Sequence, residues 1–249
     1  LLEWLKESNI PIIHDLDTRA LTKEIRNQGV MKGKIVYSSR PSTTFSSLPK
    51  NPWEQVSLKK PTLFRDGFFK RIIAIDCGMK NSIHSLLEQF PCSFYKVPFD
   101  YDFTNEPYDG IFISNGPGDP SLCTETIEIL KKALKLEKPI FGICFGAQLL
   151  ALAAGASTYK LKYGHRGQNQ PCIELETNRC FITSQNHGYA IDSETLPDNW
   201  EVSFKNLNDE SIEGIAHKHL PYFAVQFHPE AAPGPTDTKW LFNKFFNLL

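Results

Sequence analysis

The spacing of apolar residues changes character twice along the chain. Residues 1–8 read as an amphipathic helix, 10–14 as a strand, 18–28 as a second helix and 33–37 as a second strand. The segment DLDTR, residues 15–19, joins the first strand to the second helix. Thr18 is the expected N-cap there, with Asp15 and Asp17 near the positive end of the helix dipole. The periodicity then breaks. SSRPSTTFSSLPKNPW is rich in Ser, Thr and Pro and reads as a linker.

From Arg71 short apolar runs alternate with helical periods. Strands are expected at 71–78, 92–99, 110–116 and 139–144, and helices at 81–90, 124–136 and 145–155. This alternation predicts an α/β fold: a mostly parallel central sheet with helices on both faces. Right-handed crossovers then bring the strand C-termini to one edge, where ligands bind in such sheets. After Gly155 the runs TYKLKYG, QPCIELE, RCFITSQ, WEVSFKN, EGIAHK and PYFAVQF predict an antiparallel extension. A last helix, 238–249, offers Trp240, Leu241, Phe245 and Leu248 for packing. The expected domains are therefore 1–40, the C-terminal part of a smaller N-terminal domain; 41–68, a linker; and 69–249, the α/β domain.

Composition narrows the function classes. The chain has 249 residues, 41% of them hydrophobic, enough for a substantial core. A formal net charge of −1 gives no basis for electrostatic capture of nucleic acid or an acidic membrane. No apolar run approaches the roughly 20 residues that span a bilayer, and no segment has the shape of a signal peptide. None of the six cysteines lies in a C-x-x-C pair, which argues for reduced thiols and against a disulfide frame or zinc site. The expected location is cytoplasmic; a mitochondrial one stays open because the chain starts inside a fold.

One cysteine stands apart. Gly142-Ile-Cys-Phe-Gly146 places Cys144 where a strand runs into a helix, the cysteine form of a nucleophile elbow. A thiol there meets a helix N-terminus, whose partial positive charge favours thiolate, and whose free N–H groups can face an oxyanion. On this motif alone, a buried cysteine at a glycine-rich turn is an equal alternative. A second apolar strand ends in His228-Pro-Glu230. A strand end holds a general base rigidly, and a carboxylate two residues on can fix its tautomer. A third strand ends in the loop Gly116-Pro-Gly-Asp-Pro120, which brings backbone N–H groups to the same edge. His217 and His219 alternate on one strand face without a third ligand at suitable spacing, so no metal site is expected. His187 reads as pocket wall, and His165 and Arg166 as part of a loop.

GPGDP, GICFGAQLLALAAG, TSQNHGYA and QFHPEA, in that order, resemble the class I (triad) glutamine amidotransferases. YGHRGQNQP at 163–171, DLDTR, LTKEIRNQG and HPEAAPGPTDT narrow the resemblance to the small, glutamine-hydrolysing chain of carbamoyl phosphate synthetase, or the same domain of a fused enzyme. The resemblance implies that Cys144 forms a glutamyl thioester, with His228 as base and Glu230 orienting it. It implies an oxyanion hole from Gly116 or Gly118 and Phe145. Gln148, Asn186, Gly188 and Tyr189 would hold the α-amino and α-carboxylate ends of L-glutamine. It implies no cofactor in this chain; ATP, Mg and bicarbonate would serve a synthetase partner that takes up the ammonia, on the way to arginine or pyrimidine synthesis.

Two departures from that family's pattern bear on turnover. Ala147 stands where relatives commonly carry His, and the N-terminal domain is entered partway, without a serine that helps bind glutamine. They motivate an alternative: a weakly active or inactive structural or regulatory module.

Overall fold

A computed structural model describes residues 1–36 and 49–249. The chain divides into two compact units, Leu1–Phe45 and Ser46–Leu249. The first unit contains helices α1 (Leu2–Glu7) and α2 (Thr18–Gln28). The cap of α2 is Asp17, not Thr18: its carboxylate accepts from Ala20 N at 2.8 Å, and Thr18 is already the first helical residue. Gly29, at φ 83°, ends the helix. Neither expected strand of this unit forms among the described residues; 10–14 and 33–36 are irregular, and Tyr37 lies outside them. A lone extended segment has no ladder to satisfy its backbone, and Ile10, Ile12, Ile13, Ile35 and Val36 stay exposed.

The second unit begins earlier than the composition indicates. Residues 49–68, read as linker, contain the helical turn α3 (Trp53–Val56) and a strand, β1 (Thr62–Arg65). Trp53 is fully buried, its ring centroid 5.7 Å from that of Phe145. Then come β2 (Arg71–Asp76), α4 (Asn81–Leu87), β3 (Ser93–Pro98), β4 (Gly110–Ile113), α5 (Thr124–Ala133), β5 (Ile140–Ile143) and α6 (Phe145–Ala154). The extension is β6 (Thr158–Glu174), β7 (Arg179–Ile191), β8 (Trp200–Asn206) and β9 (Ile212–His217), and the chain closes with β10 (Tyr222–Val225) and α7 (Trp240–Leu248).

The strands form one ten-stranded sheet in the order β1-β3-β2-β4-β5-β10-β9-β8-β6-β7. β3, β2, β4, β5 and β10 run parallel; β1 flanks them antiparallel on one side and β9, β8, β6 and β7 on the other. Successive side chains of a strand point to opposite faces. Ile73, Ile75, Ile111 and Ile113 accordingly join one apolar cluster with Ile127, Leu130 and Leu149 of α5 and α6. Ile72, Ala74, Phe112 and Phe141 join another with Ile83 of α4 and Phe242 and Phe245 of α7. Two runs expected as separate strands, 158–164 and 170–176, are one long β6, its register broken between Lys160 and His165 and between Gly167 and Gln170. His165 and Arg166 therefore lie on a strand, not in a loop. No helix among the described residues is long and apolar enough to cross a membrane.

Candidate active site

β4, β5 and β10 all end at one edge of the sheet, and each delivers one expected element there. β5 passes straight into α6 at Cys144, whose backbone is held at φ 55°, ψ −105°. A side-chain-bearing residue pays for that left-handed φ, a form of strain that clusters at functional sites. The surroundings enforce it: Cys144 N donates to Val225 O at 2.8 Å, and Cys144 O accepts from Ala147 N and Gln148 N. The turn also needs its glycines. A Cβ on Gly142 would lie 2.7 Å from Gly146 O, so the helix start can fold back over the strand only without one. Cys144 thus sits at the first turn of α6, where backbone N–H groups have no intrahelical partner.

His228 and Glu230 follow β10 on the neighbouring strand. His228 N donates to Ser184 O at 2.8 Å, which pins the segment to β7. The ring's Nδ1 lies 2.7 Å from Glu230 Oε1, and the Cys144 thiol is near enough to act on the charge of the ring. Burial opposes a charge on His228, but Cys144 and Glu230 on its two sides outweigh it and push its pKa up to about 10. Burial likewise raises Glu230, and the His228 ring and the Lys80 ammonium outweigh that, so the carboxyl ends below its ordinary range.

Lys80 is a residue the sequence reading missed. Its Nζ lies 2.9 Å from Glu230 Oε1 and donates to Ala231 O at 2.9 Å. The signal was positional: Lys80 follows the C-terminal end of β2, at the same sheet edge as the thiol. Lys80 N in turn donates to Asn115 Oδ1 at 3.0 Å, tying the β2 end to the GPG loop.

The loop after β4 meets the elbow directly. A Cβ on Gly116 would lie 3.0 Å from Phe145 Cδ1 and 2.5 Å from Cys77 O, so the loop backbone at Gly116 packs against the Phe145 ring. Gly118 takes φ 103° against Pro52 and Trp53. On the other side, the Cys144 thiol approaches Asn186 O at 3.9 Å. Gln148 is buried and spends both amide hydrogens, on Tyr189 O at 2.8 Å and Gln226 Oε1 at 2.9 Å, which leaves its own oxygen as an acceptor. Asn186 is exposed at the mouth, with Gly188 and Tyr189 half-buried beyond it. His187 is buried, its ring nitrogens meeting Tyr189 O and Gln185 Oε1. His217 packs on Trp200 and Tyr222, and its Nδ1 accepts from His219 N and Leu220 N, so it shapes a turn.

Ala147 is fully buried in the cluster that contains Leu149 and Ile127, whereas Cys144 belongs to the cluster on the other sheet face. The methyl packs away from the cluster that holds the thiol.

A thiol at a strand–helix elbow beside a buried His–Glu pair, at the edge of a parallel sheet, suits thiol-dependent acyl transfer, and comparison with known proteins gives the family. The chain belongs to the class-I glutamine amidotransferases, whose family profile matches residues 73–248. Residues 1–35 match a second profile, carbamoyl-phosphate synthase small chain, CPSase domain. The chain is 50% identical over 250 residues to the multifunctional protein CAD of Squalus acanthias, covering 97% of this chain and 11% of that one. It is 44% identical over 249 residues to the mitochondrial carbamoyl-phosphate synthase (ammonia) of Homo sapiens, covering 99% of this chain and 16% of that one. The chain thus spans only a small part of either relative. A glutamine amidotransferase from Thermotoga maritima shares the fold, with a TM-score of 0.55 at 20% identity over 66% of this chain and 77% of that one.

Proposed function

We propose that this chain is the glutaminase component of a carbamoyl phosphate synthetase. The observation that carries the reading is the buried His228–Glu230 pair, 2.7 Å apart, beside Cys144 at the strand–helix elbow. In this mechanism His228 takes the thiol proton of Cys144, the sulfur attacks the side-chain carbonyl carbon of L-glutamine, and the oxyanion is received by Phe145 N–H with Gly116 or Gly118 N–H. The imidazolium of His228 protonates the departing nitrogen, the C–N bond breaks, and ammonia leaves behind a glutamyl thioester. His228 then takes a proton from water, whose oxygen attacks the thioester; the C–S bond breaks and glutamate is released. Gln148 Oε1 suits an α-ammonium, and Asn186, Gly188 and Tyr189 line the α-carboxylate end. Lys80 and His228 together hold Glu230 ionised. Ammonia passes to an ATP-dependent synthetase domain or subunit; this chain itself uses no cofactor.

The test is glutamate release from glutamine, with and without the synthetase partner. Release that rises with the partner is expected; no release in either condition from folded protein would sink the proposal. The human relative, named for ammonia, motivates the second reading: an amidotransferase-like module that supplies no nitrogen. Cys144 with its His–Glu pair in place favours the first.

The pH profile tests the pairing. Glu230 raises the pKa of His228, so Glu230→Gln removes that support and the imidazolium is lost at lower pH. The alkaline limb of kcat/KM is expected to move down by at least about one pH unit. An unmoved limb would mean that Glu230 does not act on His228.

A further inference from the structure

Three strands of the antiparallel extension aim ligand-type atoms at one buried point. Nδ1 of His165 on β6 lies 3.0 Å from Oε1 of Glu213 on β9, and Nε2 of His187 on β7 lies 3.6 Å from the same oxygen. The ligand atoms all lie within 4.8 Å of one another. The side chains of His187 and Glu213 are 2% and 0% exposed, and that of His165 11%.

The hydrogen bonds around the cluster decide what its centre can hold. His187 Nδ1 faces Tyr189 O at 2.8 Å; a carbonyl only accepts, so Nδ1 carries the hydrogen and Nε2 of the neutral ring presents a lone pair. Nε2 meets no donor: the nearest group, Gln185 Oε1 at 3.2 Å, is an acceptor, held that way because its amide nitrogen donates to Cys172 Sγ and Thr183 Oγ1. His165 Nε2 faces Asp209 Oδ2 at 2.8 Å and Nδ1 faces Glu213 Oε1 at 3.0 Å; the two carboxylates outweigh burial and push the ring's pKa up to about 9, so without a metal the ring donates to both, and a metal ion would take the place of the Nδ1 proton. Asn206 Nδ2, 3.5 Å from that nitrogen, is too distant for a good bond. Glu213 Oε2 is buried with no hydrogen-bond partner. An imidazole nitrogen with acceptors on two sides and a carboxylate oxygen without a partner, both in a dry interior, favour a cation between them.

We propose that His165 Nδ1, His187 Nε2 and the Glu213 carboxylate form a site for a divalent transition metal, zinc by ligand type. Tetrahedral zinc with bonds of about 2.0–2.1 Å sets its ligand atoms about 3.3 Å apart. The two edges to Glu213, 3.0 and 3.6 Å, bracket that spacing, and with all three atoms within 4.8 Å of one another the two histidines need only close on the ion. Each histidine also has the outer partner that ligating imidazoles use to fix their tautomer, a carboxylate from Asp209 and a main-chain carbonyl from Tyr189. Gln185 Oε1 or a water completes the shell. The donors come from three strands far apart in sequence, so no short motif announces them. A metal here clamps β6 and β9 to the part of β7 that carries Asn186, Gly188 and Tyr189. That consequence for glutamine binding rests on the glutaminase reading; the metal site does not.

The experiment is metal content by inductively coupled plasma mass spectrometry on the purified, untagged protein from zinc-supplemented culture. About one zinc per chain is expected, lost on dialysis against a chelator, with a fall of several degrees in Tm that zinc chloride reverses and magnesium chloride does not. Glu213→Gln, which keeps the shape of the side chain, should retain the fold by circular dichroism yet bind zinc at least about tenfold more weakly; His165→Ala is the second variant. Folded wild-type protein without bound transition metal, whose Tm zinc chloride does not raise, would overturn the proposal and leave the cluster held by protons. Neither readout depends on glutamine hydrolysis, so failure of the site and failure of the glutaminase reading are told apart.

Discussion

Replacing Cys144 with alanine is expected to lower glutamine hydrolysis by at least about 10⁴-fold while the protein stays folded. The chemical half follows from the elbow. Cys144 alone combines the N-terminal position on α6, an influence on the charge of the His228 ring and a following residue, Phe145, that packs near Gly116. The other thiols lack that setting. Cys172 is buried beside Thr183 and Gln185, where loss of solvent pushes its thiol far up; Cys77 is fully buried, and Cys123 contacts Thr126. The structural half follows from the backbone. Alanine keeps a Cβ, so the cost of φ 55° is unchanged and only the sulfur's contacts are lost. His228→Asn should cost a similar factor, and the double variant little more than either single one, because the two groups act as one unit. Glutamate release measured alongside Tm decides it. Hydrolysis within about tenfold of wild type in a folded Cys144→Ala protein would place the nucleophile elsewhere.

The elements that position this site were readable because each combines two local signals. β5 and α6 meet at an apolar run followed by a helical period with glycines on both sides, so the elbow was visible as a change of periodicity at Cys144. β10 was an apolar run stopped by His-Pro-Glu. What could not be read depends on partners distant in the chain. β1 is an edge strand of four residues in a Ser- and Pro-rich region, and only its ladder with β3 makes it a strand. The runs at 10–14 and 33–37 have the same local signal without such a ladder in the described residues, and 10–14 and 33–36 stay irregular. The same holds for the site. Lys80 reaches Glu230 across 150 positions of sequence, and Glu213 meets His165 and His187 through strand register alone. Patterns of period 2 or 3.6 report which face a side chain takes, not which side chain it finds there.

Gly146→Ala is expected to destabilise the protein by about 3 kcal/mol and to cost most of its glutaminase activity, even though alanine is the better helix former. In an exposed helix the substitution would gain about 1 kcal/mol. Here the added Cβ falls inside contact distance of Ile113 O, 2.8 Å from Ile113 C and 2.9 Å from Ser114 O. These are backbone atoms at the end of β4, in a parallel ladder with β2 and β5, and they have no rotamer with which to yield. Relief requires that α6 lift off the strand end. That movement separates Phe145 from Gly116, the pair whose N–H groups are proposed to receive the oxyanion. One close approach therefore sets both packing and catalysis, and the two losses should appear together. Urea unfolding gives the first and kcat the second. Gly33→Ala, where a Cβ would meet nothing within 4 Å, serves as the control and should change stability by no more than about 0.5 kcal/mol. A Gly146→Ala protein as stable and as active as wild type would show that α6 does not need this contact with β4. A stable but inactive one would separate the oxyanion geometry from the packing, and place the tolerance in a shift of the helix start rather than in the strand.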